Sequence, residues 1–218
     1  MRTIIWFIYF WLYLLALIPK MHATTKARKN GDWEKCDELA HREVPKWANS
    51  LLKLAGVKVT VHGSENLPSV PCVFVANHES YYDIPIMLTT LGKPFGLMAK
   101  KEIMKLPLIR TWMKNLGCVF VDRKDPRAAM QSLNEAEAFV KMGRSMVIFP
   151  EGTRAKDGVI GEFKSGSFRI ATKAKVPLVP VRIEGTRNIM ENNHYFMHPG
   201  NVEVFILPQV ETVGLAKE

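Results

Sequence analysis

The stretch Cys72-Val73-Phe74-Val75-Ala76-Asn77-His78-Glu79-Ser80-Tyr81-Tyr82-Asp83 decides the fold class. Five apolar residues without alternation read as a strand covered on both faces. The polar residues after Ala76 form a loop, and Asp83 opens a helix running to Leu91. The same punctuation recurs along the chain. VKVTVH at 57–62, FGLMA at 95–99, CVFV at 118–121, MVIF at 146–149, LVPVRI at 178–183 and VEVFIL at 202–207 are further strands. Between them lies a helix from Asp125 to Met142, with Asp125 as N-cap, Pro126 at its first position and Gly143 beyond its end. A second helix is predicted over Ser165 to Lys175. The pattern is α/β, a mostly parallel or mixed central sheet flanked by helices, with no internal repeat.

Outward from this core, Trp33, Leu39, Trp47, Leu51 and Leu54 fall at helical spacing across 32–55, and Pro45 predicts a break or kink there. Ile4 to Ile18 holds no charge, and as a helix it covers about 22 Å against a hydrocarbon core of about 30 Å. Residues 19–23 supply no small-residue cleavage pattern, which argues against a removed signal peptide. Trp6, Tyr9, Trp11 and Tyr13 are spread through the segment and are not gathered at its ends, so shallow or re-entrant insertion is favoured over a perpendicular span. Lys20, Lys26, Arg28 and Lys29 follow with no acidic residue among them, suiting an anionic cytoplasmic leaflet. The chain thus divides into a membrane-anchoring segment and basic linker at 1–31 and one domain at 32–218, on the cytoplasmic face of the cell membrane.

With 218 residues and 47% hydrophobic composition, disorder is excluded, and a net charge of +9 favours an anionic partner. Nucleic acid is disfavoured because no zinc-finger spacing and no RNA-binding aromatic run occurs. Cys36, Cys72 and Cys118 lie far apart without metal or redox spacing. Neither a phosphate-binding GxxxxGK[ST] loop nor GxGxxG is present, and HExxH fails because position 82 is Tyr, so no metal and no nucleotide cofactor is predicted.

The candidate chemistry gathers at strand ends, where open α/β sheets bind ligands. A loop turning back after Ala76 would set Asp83 against one nitrogen of His78, the base and orienter of a triad. The alternative is that His78 caps a loop and Asp83 caps a helix. No GxSxG elbow supplies a nucleophile, so a base at His78 would activate a hydroxyl belonging to the substrate. The strand at 146–149 runs into Pro150, Glu151, Gly152, Thr153 and Arg154, where glycine admits an anion and arginine can grip phosphate. Two more strand ends offer Lys100 with Lys101, and Asp122 with Arg123.

Four ordered blocks now carry a family resemblance. NHESYYD at 77–83 is similar to NHxSxxD, Gly117 to Arg123 resembles GxxFxDR, Phe149 to Arg154 matches FPEGTR, and VPLVPV at 176–181 resembles VPxVPV of the glycerolipid acyltransferases. The bacterial 1-acyl-sn-glycerol-3-phosphate acyltransferases are the branch most resembled. The resemblance implies acyl transfer from acyl-CoA or acyl carrier protein to the 2-hydroxyl of lysophosphatidic acid at a membrane lipid surface, with no cofactor. It implies His78 as general base with Asp83 as partner, Glu151, Gly152, Thr153 and Arg154 in acceptor binding, and Arg123 and Lys101 as phosphate contacts. Ala155 departs from the Ser often found after FPEGTR. Alternatives from the residues are an acyl-thioester hydrolase, another acceptor such as glycerol 3-phosphate, or a non-catalytic lipid-surface protein.

Overall fold

The computed structural model describes residues 1–155 and 158–214. Its first two helices, α1 (Arg2–Ala16) and α2 (Ile18–Lys29), meet at a 55° bend, and no single helix among the described residues is long and apolar enough to cross a membrane. One side of α1 packs on α3 (Trp33–Ala55): Trp6 is buried, and its Nε1 donates to the carbonyl of Leu51 at 3.0 Å. The opposite side leaves Ile4, Ile5, Ile8, Leu12 and Leu15 exposed, a stripe at helical spacing.

One expectation changes here. The basic stretch read as a linker is helical, because Met21, Thr24 and Ala27 recur every third residue and bury against the rest of the chain. Lys20 pairs with buried Glu43 at 2.6 Å and Arg28 donates to Asn115 at 3.0 Å, so two of its four cations are engaged within the protein. Of the one or two helices that the spacing around Pro45 allows, the chain forms one. Asp32 caps α3 through the amide of Lys35, and eight buried residues along α3 hold it as one element across the proline.

Then come β1 (Val57–His62), β2 (Val73–Ala76), α4 (Asp83–Thr90), β3 (Phe95–Lys100), α5 (Pro107–Asn115), β4 (Val119–Val121), α6 (Pro126–Lys141) and β5 (Ser145–Ile148). The chain closes with α7 (Arg169–Ala174), β6 (Leu178–Glu184) and β7 (Gly200–Ile206). All seven predicted strands enter one sheet in the order β1-β7-β6-β2-β5-β3-β4. The run β6-β2-β5-β3-β4 is parallel, β7 lies antiparallel to β6, and β1 runs parallel to β7, so the sheet is mixed. The predicted helix over 165–175 is shorter than expected, a 3-10 turn at Ser165–Ser167 leading into α7.

Burial explains the difference between continuous and alternating strands. In β2 the residues Phe74 and Ala76 face the core shared with α1, α3, α4 and α5, while Val73 and Val75 face the core shared with α6 and α7. Both faces are covered, hence the unbroken apolar run. Towards the β7 and β1 edge, more buried and more exposed positions alternate, half-buried against exposed in β1, as a sheet covered on one face requires. Cys36, Cys72 and Cys118 are buried free thiols, and burial pushes Cys36 up to about 11 and Cys118 up to about 12.

Candidate active site

Parallel pairing aligns the C-terminal ends of β2, β5, β3 and β4 on one edge of the sheet. His78 follows β2, the Glu151 turn follows β5, Lys101 follows β3 and Arg123 follows β4. Neighbouring strands lie about 4.8 Å apart, so Lys101 and Arg123 leave the sheet roughly 10 and 14 Å along this edge from the strand of His78. The sequence-predicted residues therefore share one rim of the molecule.

The loop after β2 is built around a single carboxylate oxygen. Asp83 is fully buried, and its Oδ2 accepts from His78 Nδ1 at 2.7 Å and from the amides of Glu79 at 2.7 Å and Ser80 at 2.9 Å. Those two amides fold the chain back on itself, as the five-residue separation of His78 and Asp83 requires. Asp83 thus orients the imidazole and does not cap α4. With Nδ1 bound, Nε2 is the free ring nitrogen and makes no hydrogen bond among the described residues. The ring stacks on Phe149 at 4.1 Å, and its side chain keeps 19% exposure, enough for a substrate hydroxyl to reach it. Asn77 anchors the loop from below by exchanging bonds with the backbone of Ile183 at 2.9 and 2.8 Å.

Ser80 is not a second nucleophile. It is fully buried, and its hydroxyl donates to Glu191 at 2.7 Å while accepting the Tyr82 amide at 3.1 Å. Glu151, which the resemblance placed in acceptor binding, spends both oxygens on the chain's own backbone: the amides of His78 at 2.7 Å and Gly161 at 2.9 Å. It ties the end of β5 to the loop of His78. Gly152 adopts φ +72°, a left-handed conformation that favours glycine in this turn. Thr153 is exposed beside it. Arg154 lays its guanidinium over the Tyr81 ring at 3.5 Å and pairs with Glu191 at 3.4 Å, which joins it to the loop of His78. Lys101 pairs with Asp122 at 3.2 Å, and Arg123 is exposed without an ion pair among the described residues.

Sequence reasoning missed Glu191, which carries no local motif at all.

Glu79 is half-buried beside this dyad, and burial, with the charge of Asp83 adding to it, raises its carboxyl from 4.5 to about 7. The folded protein therefore holds that proton more tightly than the unfolded chain. The associated stability is complete below about pH 4.5 and is lost as pH rises through 7. Glu79→Gln is expected to remove this loss. Urea midpoints at pH 5 and pH 8 should fall further for the wild type than for the variant, and parallel falls would contradict the assignment.

A buried carboxylate orienting an imidazole, with cations along the same rim and no protein nucleophile beside it among the described residues, is an arrangement that can activate a hydroxyl or water in an α/β enzyme. A family model described as acyltransferase matches residues 58–184, more than half of the chain, and the chain belongs to that acyltransferase family. It is 31% identical over 211 residues to a probable 1-acyl-sn-glycerol-3-phosphate acyltransferase of Mycoplasma genitalium, covering 92% of this chain and 77% of the relative. It is 42% identical over 152 residues to a chloroplastic 1-acyl-sn-glycerol-3-phosphate acyltransferase of Brassica napus, covering 68% of this chain. The chain spans only 44% of that plant relative's length. The crystal structure of the 1-acyl-sn-glycerophosphate acyltransferase of Thermotoga maritima superimposes with a TM-score of 0.77 at 29% identity, covering all of this chain and 90% of that one.

Proposed function

We propose that the protein transfers an acyl group from a thioester of coenzyme A or acyl carrier protein to the 2-hydroxyl of 1-acyl-glycerol 3-phosphate, making phosphatidic acid. The observation that carries this reading is the 2.7 Å bond from His78 Nδ1 to a fully buried Asp83, with Ser80 locked away from the role of nucleophile. The activity named for the relatives supports it.

In this mechanism Asp83 accepts the Nδ1 proton and so fixes the tautomer that leaves Nε2 as a base. Nε2 takes the proton of the 2-hydroxyl as its oxygen attacks the thioester carbonyl. The imidazolium formed is stabilised by Asp83 and returns the proton to the departing thiolate. The thioester is already activated, so no covalent enzyme intermediate is required. Arg154 grips the acceptor phosphate, with Lys101 and Arg123 offering further positive charge along the rim. An apolar cavity of about 110 Å³, lined by Leu14, Leu17, Ile84, Leu88, Leu97 and Trp112, has the character to take an alkyl chain. The exposed stripe of α1 would rest in the lipid interface from which both substrates arrive.

The decisive experiment incubates purified protein with mixed acyl-CoA donors and several acceptors, and identifies products by mass spectrometry. Phosphatidic acid from lysophosphatidic acid is the expected product. Free fatty acid formed without any acceptor would indicate a hydrolase instead, and product from glycerol 3-phosphate alone would move the reaction one acylation earlier. Arg154→Ala is expected to raise the acceptor KM by about tenfold or more, the scale of a lost charge-assisted contact, with the donor KM unchanged. An unaltered acceptor KM would remove Arg154 from phosphate binding.

A further inference from the structure

The family match ends at Glu184, and the chain there turns sharply through Gly185. Gly185 sits at φ +88°, and a Cβ would come within 2.6 Å of the Asn201 carbonyl oxygen, so only glycine permits the turn. Two short 3-10 turns, Thr186–Ile189 and Glu191–Asn193, then bring a carboxylate back over the active site. The Glu191 side chain is only 8% exposed. Its Oε2 accepts from Ser80 Oγ at 2.7 Å, and its Oε1 accepts from the Tyr81 amide at 2.9 Å and lies 3.4 Å from Arg154 Nη1.

Resting on the function proposed above, we infer that Glu191 is the positioning residue that sets the phosphate-binding edge of Arg154 and locks it to the loop of His78. A carboxylate beside an anion site weakens the attraction for phosphate, so what it supplies there is geometry. Tyr81 fixes the face of the guanidinium at 3.5 Å, and Glu191 fixes one edge through Nη1. The other N–H groups of Arg154 have no acceptor among the described residues and remain for a bidentate grip on phosphate. The same carboxylate holds Ser80 and Tyr81, two and three residues after His78 and just ahead of Asp83's helix. Base and phosphate grip are thereby tied to one carboxylate, which holds the distance between them.

Three readouts test this. Glu191→Ala is expected to raise the acceptor KM by about tenfold while the donor KM stays within about twofold. Glu191→Gln keeps an acceptor for Arg154 and the Tyr81 amide, and should restore the acceptor KM to within about threefold of wild type. A merely structural role would lower the amount of active protein, and with it kcat, without separating the two KM values. Unchanged acceptor KM in Glu191→Ala, or equal rises for donor and acceptor, would overturn the inference. Hydrogen exchange of the 78–83 amides gives a readout independent of turnover: exchange should quicken in Glu191→Ala and stay near wild type in Glu191→Gln. If the wild-type protein acylates no lysophospholipid, the proposed function fails by itself. Unchanged exchange in Glu191→Ala would then refute the placement of Glu191 separately.

Discussion

His78→Ala is expected to lower the rate of acyl transfer by at least about 10²- to 10⁴-fold, the contribution typical of a positioned general base. The loss should fall on kcat, because the imidazole meets the hydroxyl most strongly as the proton moves, and the acceptor KM should change little. Asp83→Asn separates orientation from basicity. Asp83 Oδ2 accepts three hydrogen bonds, two from amides that shape the loop and one from the ring. An asparagine oxygen can keep the amide bonds, but the neutral amide no longer favours the imidazolium or the Nδ1-protonated tautomer. A loss approaching that of His78→Ala with an unchanged unfolding midpoint is the expected result. More than a tenth of wild-type activity surviving in His78→Ala would take the base out of the mechanism. Initial rates with radiolabelled acyl-CoA measure both variants.

The second large effect lies far from the site and concerns stability. Arg144 precedes β5, is buried, and holds Asp37 of α3 bidentately at 2.6 and 2.7 Å. Its guanidinium also stacks on Trp33 at 4.4 Å and donates to the Leu116 carbonyl at 3.3 Å. Arg144→Ala would leave Asp37 without its partner and a carbonyl unpaired, a loss on the order of 3–5 kcal/mol for a buried pair broken on one side. For a chain of this size that corresponds to a fall in Tm of about 6–20 °C. Arg144→Lys keeps the charge but neither the fork nor the planar stack, so it should fall between the two. Thermal unfolding followed by circular dichroism measures the shift, and a change below about 2 °C for Arg144→Ala would contradict the assigned role.

What the sequence revealed and what it concealed follow from the range of the interactions. The seven strands were legible because each is a short β-rich run, and those between covered faces, such as Val73–Ala76, are apolar without a break. The helix α6 was legible because Asp125 and Pro126 write its start locally, and the side chain of Asp125 does accept the amides of Arg127 and Ala128. The reversal at β7 was not legible, since nothing inside Gly200–Ile206 states its direction relative to β6. The helical nature of 18–29 was hidden by its charges, whose stems and partners, Glu43 and Asn115, come from other elements. At the site, His78 and Asp83 are five residues apart and could be paired on paper. Glu191 meets Ser80 across 111 residues, and a contact of that separation is written only in the fold.

The three thiols have a practical sequel. Burial keeps Cys36, Cys72 and Cys118 out of contact with solvent and raises all three thiols; at about 11 and 12, Cys36 and Cys118 leave about one thiolate in a thousand or fewer at pH 8. Maleimide reagents should therefore pass over the native protein. A single cysteine placed on the outer side of the first helix, as in Leu12→Cys, would then carry a fluorophore alone, and its emission would report whether that side enters a lipid bilayer without the native sulfurs having to be removed.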